Sequence, residues 1–164
     1  MHTNLDNIHN GVNAKITNIL ELQDSIILAP KANLLRQLVV YCPCDYSANL
    51  KTVLFENGAG SIGHYSHCSF SLVGEGTFRP KAGSKPFRGK IGGDHIEKED
   101  RIEVIYSKDN EESILRAMQH AHPYQEVAYQ IYSIENKHNM IGAGMIGDLK
   151  DPITTDVFLN QIKS

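Results

Sequence analysis

Apolar positions along the chain change period several times, and each change predicts a new element. Val12, Ile16, Ile19 and Leu20 recur at helical spacing, which predicts an amphipathic helix from about Asn10 to Leu22. Ile26-Ile27-Leu28-Ala29-Pro30 then reads as a short extended piece. Leu38-Val39-Val40-Tyr41-Cys42 is a strand ended by Pro43. Leu50, Val53 and Leu54 mark one face of a helix from about Tyr46 to Asn57, with Asn57-Gly58 as its stop. Alternation from His64 to Pro80 predicts an extended ribbon, with His64, Ser66, Cys68 and Phe70 on one face and Tyr65, His67 and Ser69 on the other. After a loop rich in Gly, Pro and Lys, Ile102, Val104 and Tyr106 alternate in a further strand. Asp109-x-x-Glu112 resembles a capping box for a helix carrying Ile114, Ala117, Met118 and Ala121. That helix ends at Pro123, and Val127, Tyr129 and Ile131 alternate in a last strand. Gly142 to Gly147 reads as a turn before a short helix that Thr154 or Thr155 caps, with Phe158 and Ile162 on its apolar face.

The order over residues 34–136 is β-α-β-β-α-β, a ferredoxin-like arrangement, so the fold class is α/β of the α+β kind. Right-handed crossovers put both helices on one sheet face and leave the other open, which favours a homo-oligomer. Residues 1–33 and 137–164 form flanking segments, each too short to bury its own apolar face. Gly58-x-Gly60-x-x-Gly63 and Gly142-x-Gly144-x-x-Gly147 spell the dinucleotide fingerprint, but neither follows a strand and opens a long helix. Both read as turns.

Composition narrows the classes of function. The 164 residues carry a net charge of -3 with both signs scattered, so no basic stripe for nucleic acid is present. No apolar run reaches membrane-spanning length, and Met1-His2-Thr3-Asn4 is polar where a signal peptide would be apolar. Three cysteines, an odd count, fit a reducing cytoplasmic setting.

Several motifs resemble one family. Met1-His2-Thr3-Asn4-Leu5-Asp6 with Gly11-Val12-Asn13, Gly58-Ala59-Gly60-x-Ile62-Gly63-x-Tyr65-x-x-Cys68-Ser69-Phe70, Gly74-x-Gly76-x-Phe78-x-Pro80, and Ala121-His122-Pro123-Tyr124-x-Glu126-Val127-Ala128-Tyr129 are similar to the Nif-three-like family. Its members are also called GTP cyclohydrolase I type 2 homologues. Gly142-x-Gly144-x-Ile146-Gly147 resembles the start of that family's second core half. The resemblance makes residues 1–33 a remnant of the first core half, 34–136 an inserted domain similar to PII and CutA folds, and 137–164 the start of the second half. It implies a dinuclear site for zinc, iron or manganese in the longer protein, of which only Asp6 matches a ligand here. It also implies that this chain alone is inactive, as a central fragment. His2 lies near that site by analogy.

Other candidates have simpler readings. Strand geometry sets His64 and Cys68 on the face opposite His67, so the three do not converge on one ion. Cys42-Pro43-Cys44 is not a redox CxxC, and His120, His122, Tyr124 and Glu126 form a polar cluster where a helix C-terminus favours His. Two functions stay open. One is a metal-dependent hydrolase acting on a small phosphorylated or nucleotide ligand, in which Asp6 would bridge two ions and acidify a shared water. The other is a non-catalytic binding and oligomerisation module to which Tyr41, Phe70, Phe78, Arg79, Phe87 and Arg88 contribute.

Overall fold

A computed structural model describes residues 7–163, which divide into two compact units, one of residues 33–135 and the other of residues 7–32 with 136–163. The larger unit contains β2 (Leu35–Pro43), α2 (Ser47–Glu56), β3 (Phe70–Phe78), β4 (His95–Ser107), α3 (Glu111–Ala121) and β5 (Tyr129–Ile134). The smaller contains α1 (Val12–Ile19), β1 (Gln23–Pro30), β6 (Gly142–Asp148) and α4 (Thr155–Lys163).

The larger unit is a four-stranded antiparallel sheet of order β3-β4-β2-β5, the ferredoxin-like order for this β-α-β-β-α-β chain. Alternation fixes its two faces. Leu38, Val40 and Cys42 of β2 and Ile102, Val104 and Tyr106 of β4 project to one side and are 0–2% exposed. There they pack against Leu50 and Leu54 of α2 and Ile114 and Met118 of α3, all fully buried. Both helices therefore cover the same face. Each such buried aliphatic residue contributes about 1.5–3 kcal/mol relative to exposure.

Three local expectations are corrected. The ribbon begins at Phe70, not His64: residues 58–69 form a loop in which Ile62 and Tyr65 exchange backbone hydrogen bonds of 2.9 and 3.0 Å. Positive φ at Gly58, Gly60, Gly63 and His67 interrupts any extended run there. The capping box does not form, because a 3₁₀ turn at Lys108–Asn110 delays the helix and Asn110, whose side chain makes no capping hydrogen bond, becomes its N-cap. Glu111 and Glu112 still place negative charge in the first turn, where the helix dipole favours it.

In the smaller unit, residues 142–147 are strand and not a turn. β6 pairs antiparallel with β1, matching Ile27 to Met145 and Pro30 to Gly142. A side chain at Gly142 would collide with the Ala29 carbonyl and Ile27, so this glycine marks a close approach of strands. Ile27, Thr17 and Gly142 are the buried residues of this unit among those described, and Thr17 Oγ1 donates to the Ala14 carbonyl at 2.9 Å. Among the described residues no helix is long and apolar enough to cross a membrane.

Candidate functional site: a cleft on the open sheet face

The face of the large sheet away from the helices is built from the other half of the same alternation. Register places Leu72, Arg101 and Tyr41 in one row, Gly74, Glu99 and Pro43 in the next, then Gly76 beside Glu97 and Phe78 beside His95. Two glycines on β3 thus open a trough beside two glutamates on β4. The Glu99 carboxylate occupies it, and a Cβ on Gly76 would stand 2.8 Å from the Glu99 carboxyl carbon. Both glutamates are largely buried, Glu97 at 9% exposure and Glu99 at 8%.

A loop between β3 and β4 roofs one end. Arg79 holds Asp94 through two hydrogen bonds of 2.6 Å, the Gly92 amide donates to the Pro80 carbonyl at 2.8 Å, and Ser84 Oγ donates to the Lys81 carbonyl at 2.7 Å. The Lys85 amide donates to Gln125 Oε1 at 3.0 Å, which ties the loop to the α3–β5 turn. Arg88 bridges Glu97 and Asp45, the latter at 2.7 Å. Rings close the side: Phe78 lies 5.7 Å and Phe87 6.3 Å from Tyr124, and Phe87 meets Tyr46 edge-on at 5.5 Å. The half-open cleft has a volume of about 720 Å³, within the range of small-ligand sites.

The two glutamates differ in electrostatics. Glu97 accepts from His95 Nε2 at 3.0 Å and from Arg88, and first the His95 contact, then Arg88, hold its carboxyl below the ordinary range. Burial raises the pKa of Glu99, the Tyr124 hydroxyl opposes that shift, and neighbouring Glu97 adds to it. Glu99 makes no ion pair among the described residues. The Tyr124 hydroxyl interacts with Glu99 but is buried without a hydrogen bond of ordinary geometry. Arg101, on the same face, pairs with Glu103 at 3.0 Å.

His122 positions this wall from behind. It is 6% exposed, its Nε2–H donates to the Tyr41 carbonyl at 2.8 Å, and its Nδ1 accepts from the Tyr124 amide at 3.1 Å. These partners fix one neutral tautomer, and burial lowers the pKa.

The residues singled out from the sequence separate clearly. Tyr41, Phe78, Arg79, Phe87 and Arg88 line the cleft, whereas Phe70 lies away from it, 60% exposed on β3. His64 is exposed, and His67 packs its ring on Phe55 at 4.9 Å. Cys42, Cys44 and Cys68 are free thiols, and burial with the Glu99 charge pushes the Cys42 pKa up to about 12. Of the polar cluster after α3, His122 turns inward while His120 and Glu126 are exposed. Asp6 and His2 lie outside the described residues, among which no group of three or more His, Cys, Asp or Glu side chains is arranged to hold a metal. The site residues missed were Gly76, Glu97, Glu99 and Arg101. Their signal was the spacing His95-x-Glu97-x-Glu99-x-Arg101-x-Glu103, which puts charge on every second position of one strand.

Fold and cleft together define a ferredoxin-like α+β unit with a ligand-sized recess on its uncovered sheet face. The chain belongs to the Duf34/NIF3 (NGG1p interacting factor 3) family, whose sequence pattern it matches over residues 1–164. It is 41% identical over 163 residues to the GTP cyclohydrolase 1 type 2 homolog of Bacillus subtilis, covering 99% of this chain and 44% of that protein. The Mycobacterium leprae protein of the same name is 36% identical over 163 residues, with 98% and 42% covered. Among solved structures, a Bacillus cereus protein related to NIF3 superposes with a TM-score of 0.84 at 38% identity, over 98% of this chain and 42% of that one. The chain thus spans less than half the length of the curated relatives it matches.

Proposed function

We propose that this chain supplies the ligand-binding and assembly module of a NIF3-family protein, and that the cleft on its open sheet face takes a small phosphorylated or nucleotide ligand. The observation that carries this reading is the cleft itself. It has ligand-sized volume, aromatic walls at Phe78, Phe87 and Tyr124, and Lys81 and Lys85 among its lining residues, whose ammonium groups would meet a phosphate. Assembly into a homo-oligomer draws on the apolar edge of the same sheet, where Phe70, Leu72 and Val73 are 60%, 51% and 62% exposed. Free thiols at all three cysteines support a reducing, cytoplasmic setting.

Amide NMR spectra during titration with adenosine 5′-monophosphate, with sedimentation velocity on the same samples, test both parts. Shifts confined to Tyr41 and residues 72–88, 99–101 and 124–128, together with a species heavier than a monomer, are the expected result. Absence of cleft shifts at millimolar nucleotide refutes the ligand reading, and a monomer at tens of micromolar refutes the assembly reading.

The metal-dependent hydrolase activity belongs, on this proposal, to the longer protein, where Asp6 acts as a bridging carboxylate. Metal content of that longer protein, with and without Asp6→Ala, decides this. Unchanged stoichiometry in the variant removes Asp6 from the site.

A further inference from the structure

The cleft contains a group that its own fold does not explain. A carboxylate that is 8% exposed normally has a cation or several hydrogen-bond donors beside it, because burying the charge alone is costly. Glu97, one row away, follows that rule with Arg88 and His95. Glu99 does not. The nearby cation, Arg101, is engaged by Glu103. Among the described residues the Tyr124 hydroxyl is the one donor set against Glu99, without a well-formed hydrogen bond. Gly76 is also shaped around this carboxylate, since any side chain there would expel it. A well-packed apolar residue would serve stability better at this position.

A buried carboxylate with spare acceptor capacity, lining a cleft to which the β3–β4 loop also brings Lys81 and Lys85, describes a site with two opposite charges. We propose that the cleft selects amphoteric ligands: a flat group with adjacent N–H donors, of the amidine or amino-heterocycle kind, is received by Glu99 while an acidic group at the far end meets Lys81 and Lys85. The rings of Phe78, Phe87 and Tyr124 suit a planar body between those ends. Paired N–H donors meet both carboxylate oxygens at once, which is the strong bidentate form of this contact. This inference rests on reading the cleft as a binding site, and it adds the polarity of the ligand.

The probes are 4-amidinobenzoate, benzamidine, which lacks the acid, and 4-carbamoylbenzoate, in which a neutral amide replaces the amidinium. Affinities come from amide shifts in the full chain, for wild type, Glu99→Gln and Lys81→Ala/Lys85→Ala. The expected order places 4-amidinobenzoate tightest, with the carbamoyl compound about tenfold or more weaker, the size of one hydrogen bond to a charged group. Glu99→Gln removes that preference, whereas the lysine variant removes the advantage of 4-amidinobenzoate over benzamidine. Matching wild-type spectra away from the cleft show that each variant is folded. If the probes shift cleft residues but the amidinium has no advantage, or Glu99→Gln retains it, the polarity is wrong and the cleft reading stands. If no probe shifts cleft residues at millimolar concentration, both fail.

Discussion

The two faces of the large sheet are made by the same strands and obey opposite rules. On the helix side, β2 and β4 contribute Leu38, Val40, Ile102 and Val104, each 0–2% exposed among Leu50, Leu54, Ile114 and Met118. On the open side the same two strands contribute Tyr41, Glu97, Glu99 and Arg101, facing glycines on β3. One face gains from every buried methylene; the other buries carboxylates and leaves room beside them. The lesson is that period-two alternation lets one strand carry the stability of the unit on its odd side and its chemistry on its even side, or the reverse, with little shared between them.

The strongest way to break this contrast is to damage the covered face. Leu50 is fully buried between helix and sheet, so Leu50→Ala leaves a cavity and costs about 2–5 kcal/mol. Urea unfolding should show that loss with an unchanged slope. A cost below about 1 kcal/mol would mean that the helix-side core does not hold the unit together.

The open face should respond to a gain of atoms. Gly76→Ala places a methyl group on the Glu99 carboxylate, which must then leave its trough. The obstructing atoms are the free end of a flexible side chain, so the cost falls at the low end of overpacking, about 1 kcal/mol. Adding Glu99→Ala should recover most of that loss, because the obstruction is the carboxylate itself. A double-mutant cycle in urea measures this, and strictly additive effects would show that Gly76 is needed for its backbone and not for Glu99.

The helix side was legible in the sequence and the open side was not, for one physical reason. Helical spacing at Leu50, Val53 and Leu54, and alternation at Ile102, Val104 and Tyr106, are local signals that a few neighbouring residues carry. The cleft depends on register. Gly76 matters because β3 sets it opposite Glu97 and beside Glu99, more than twenty residues later, and no short-range pattern announces that pairing. His95 to Asp100 went unread as strand because its alternating positions are charged. The stretch from His64 to Ser69 misled in the opposite way: it alternates in spelling, yet positive φ at Gly63 and His67 turns the chain. Arg88 and Phe87 were named as contributors to a binding module through the resemblance to PII and CutA folds, although their contacts with Glu97 and Tyr124 came only with the fold.

The finest test of the contrast is its pH dependence. Burial raises the pKa of Glu99 in the folded chain above that of a free glutamate. An acid shifted upward favours the folded state fully only while it is protonated in both states, below its unfolded pKa. That contribution disappears as pH rises through the folded value, so ionised Glu99 is a burden at neutral pH. Glu99→Gln keeps the shape and removes the titration. The variant should therefore melt at a higher temperature than the wild type at pH 7, and the difference should close as pH falls below about 4.3. Glu97 predicts the reverse sign: its lowered pKa makes its charge stabilising above the unfolded value, so Glu97→Gln should melt lower at pH 7. Thermal unfolding of the two variants across pH 3.5–8 reads both signs at once. Two neighbouring glutamates on one strand that respond alike would show that the trough at Glu99 is not the unpaired site its geometry describes.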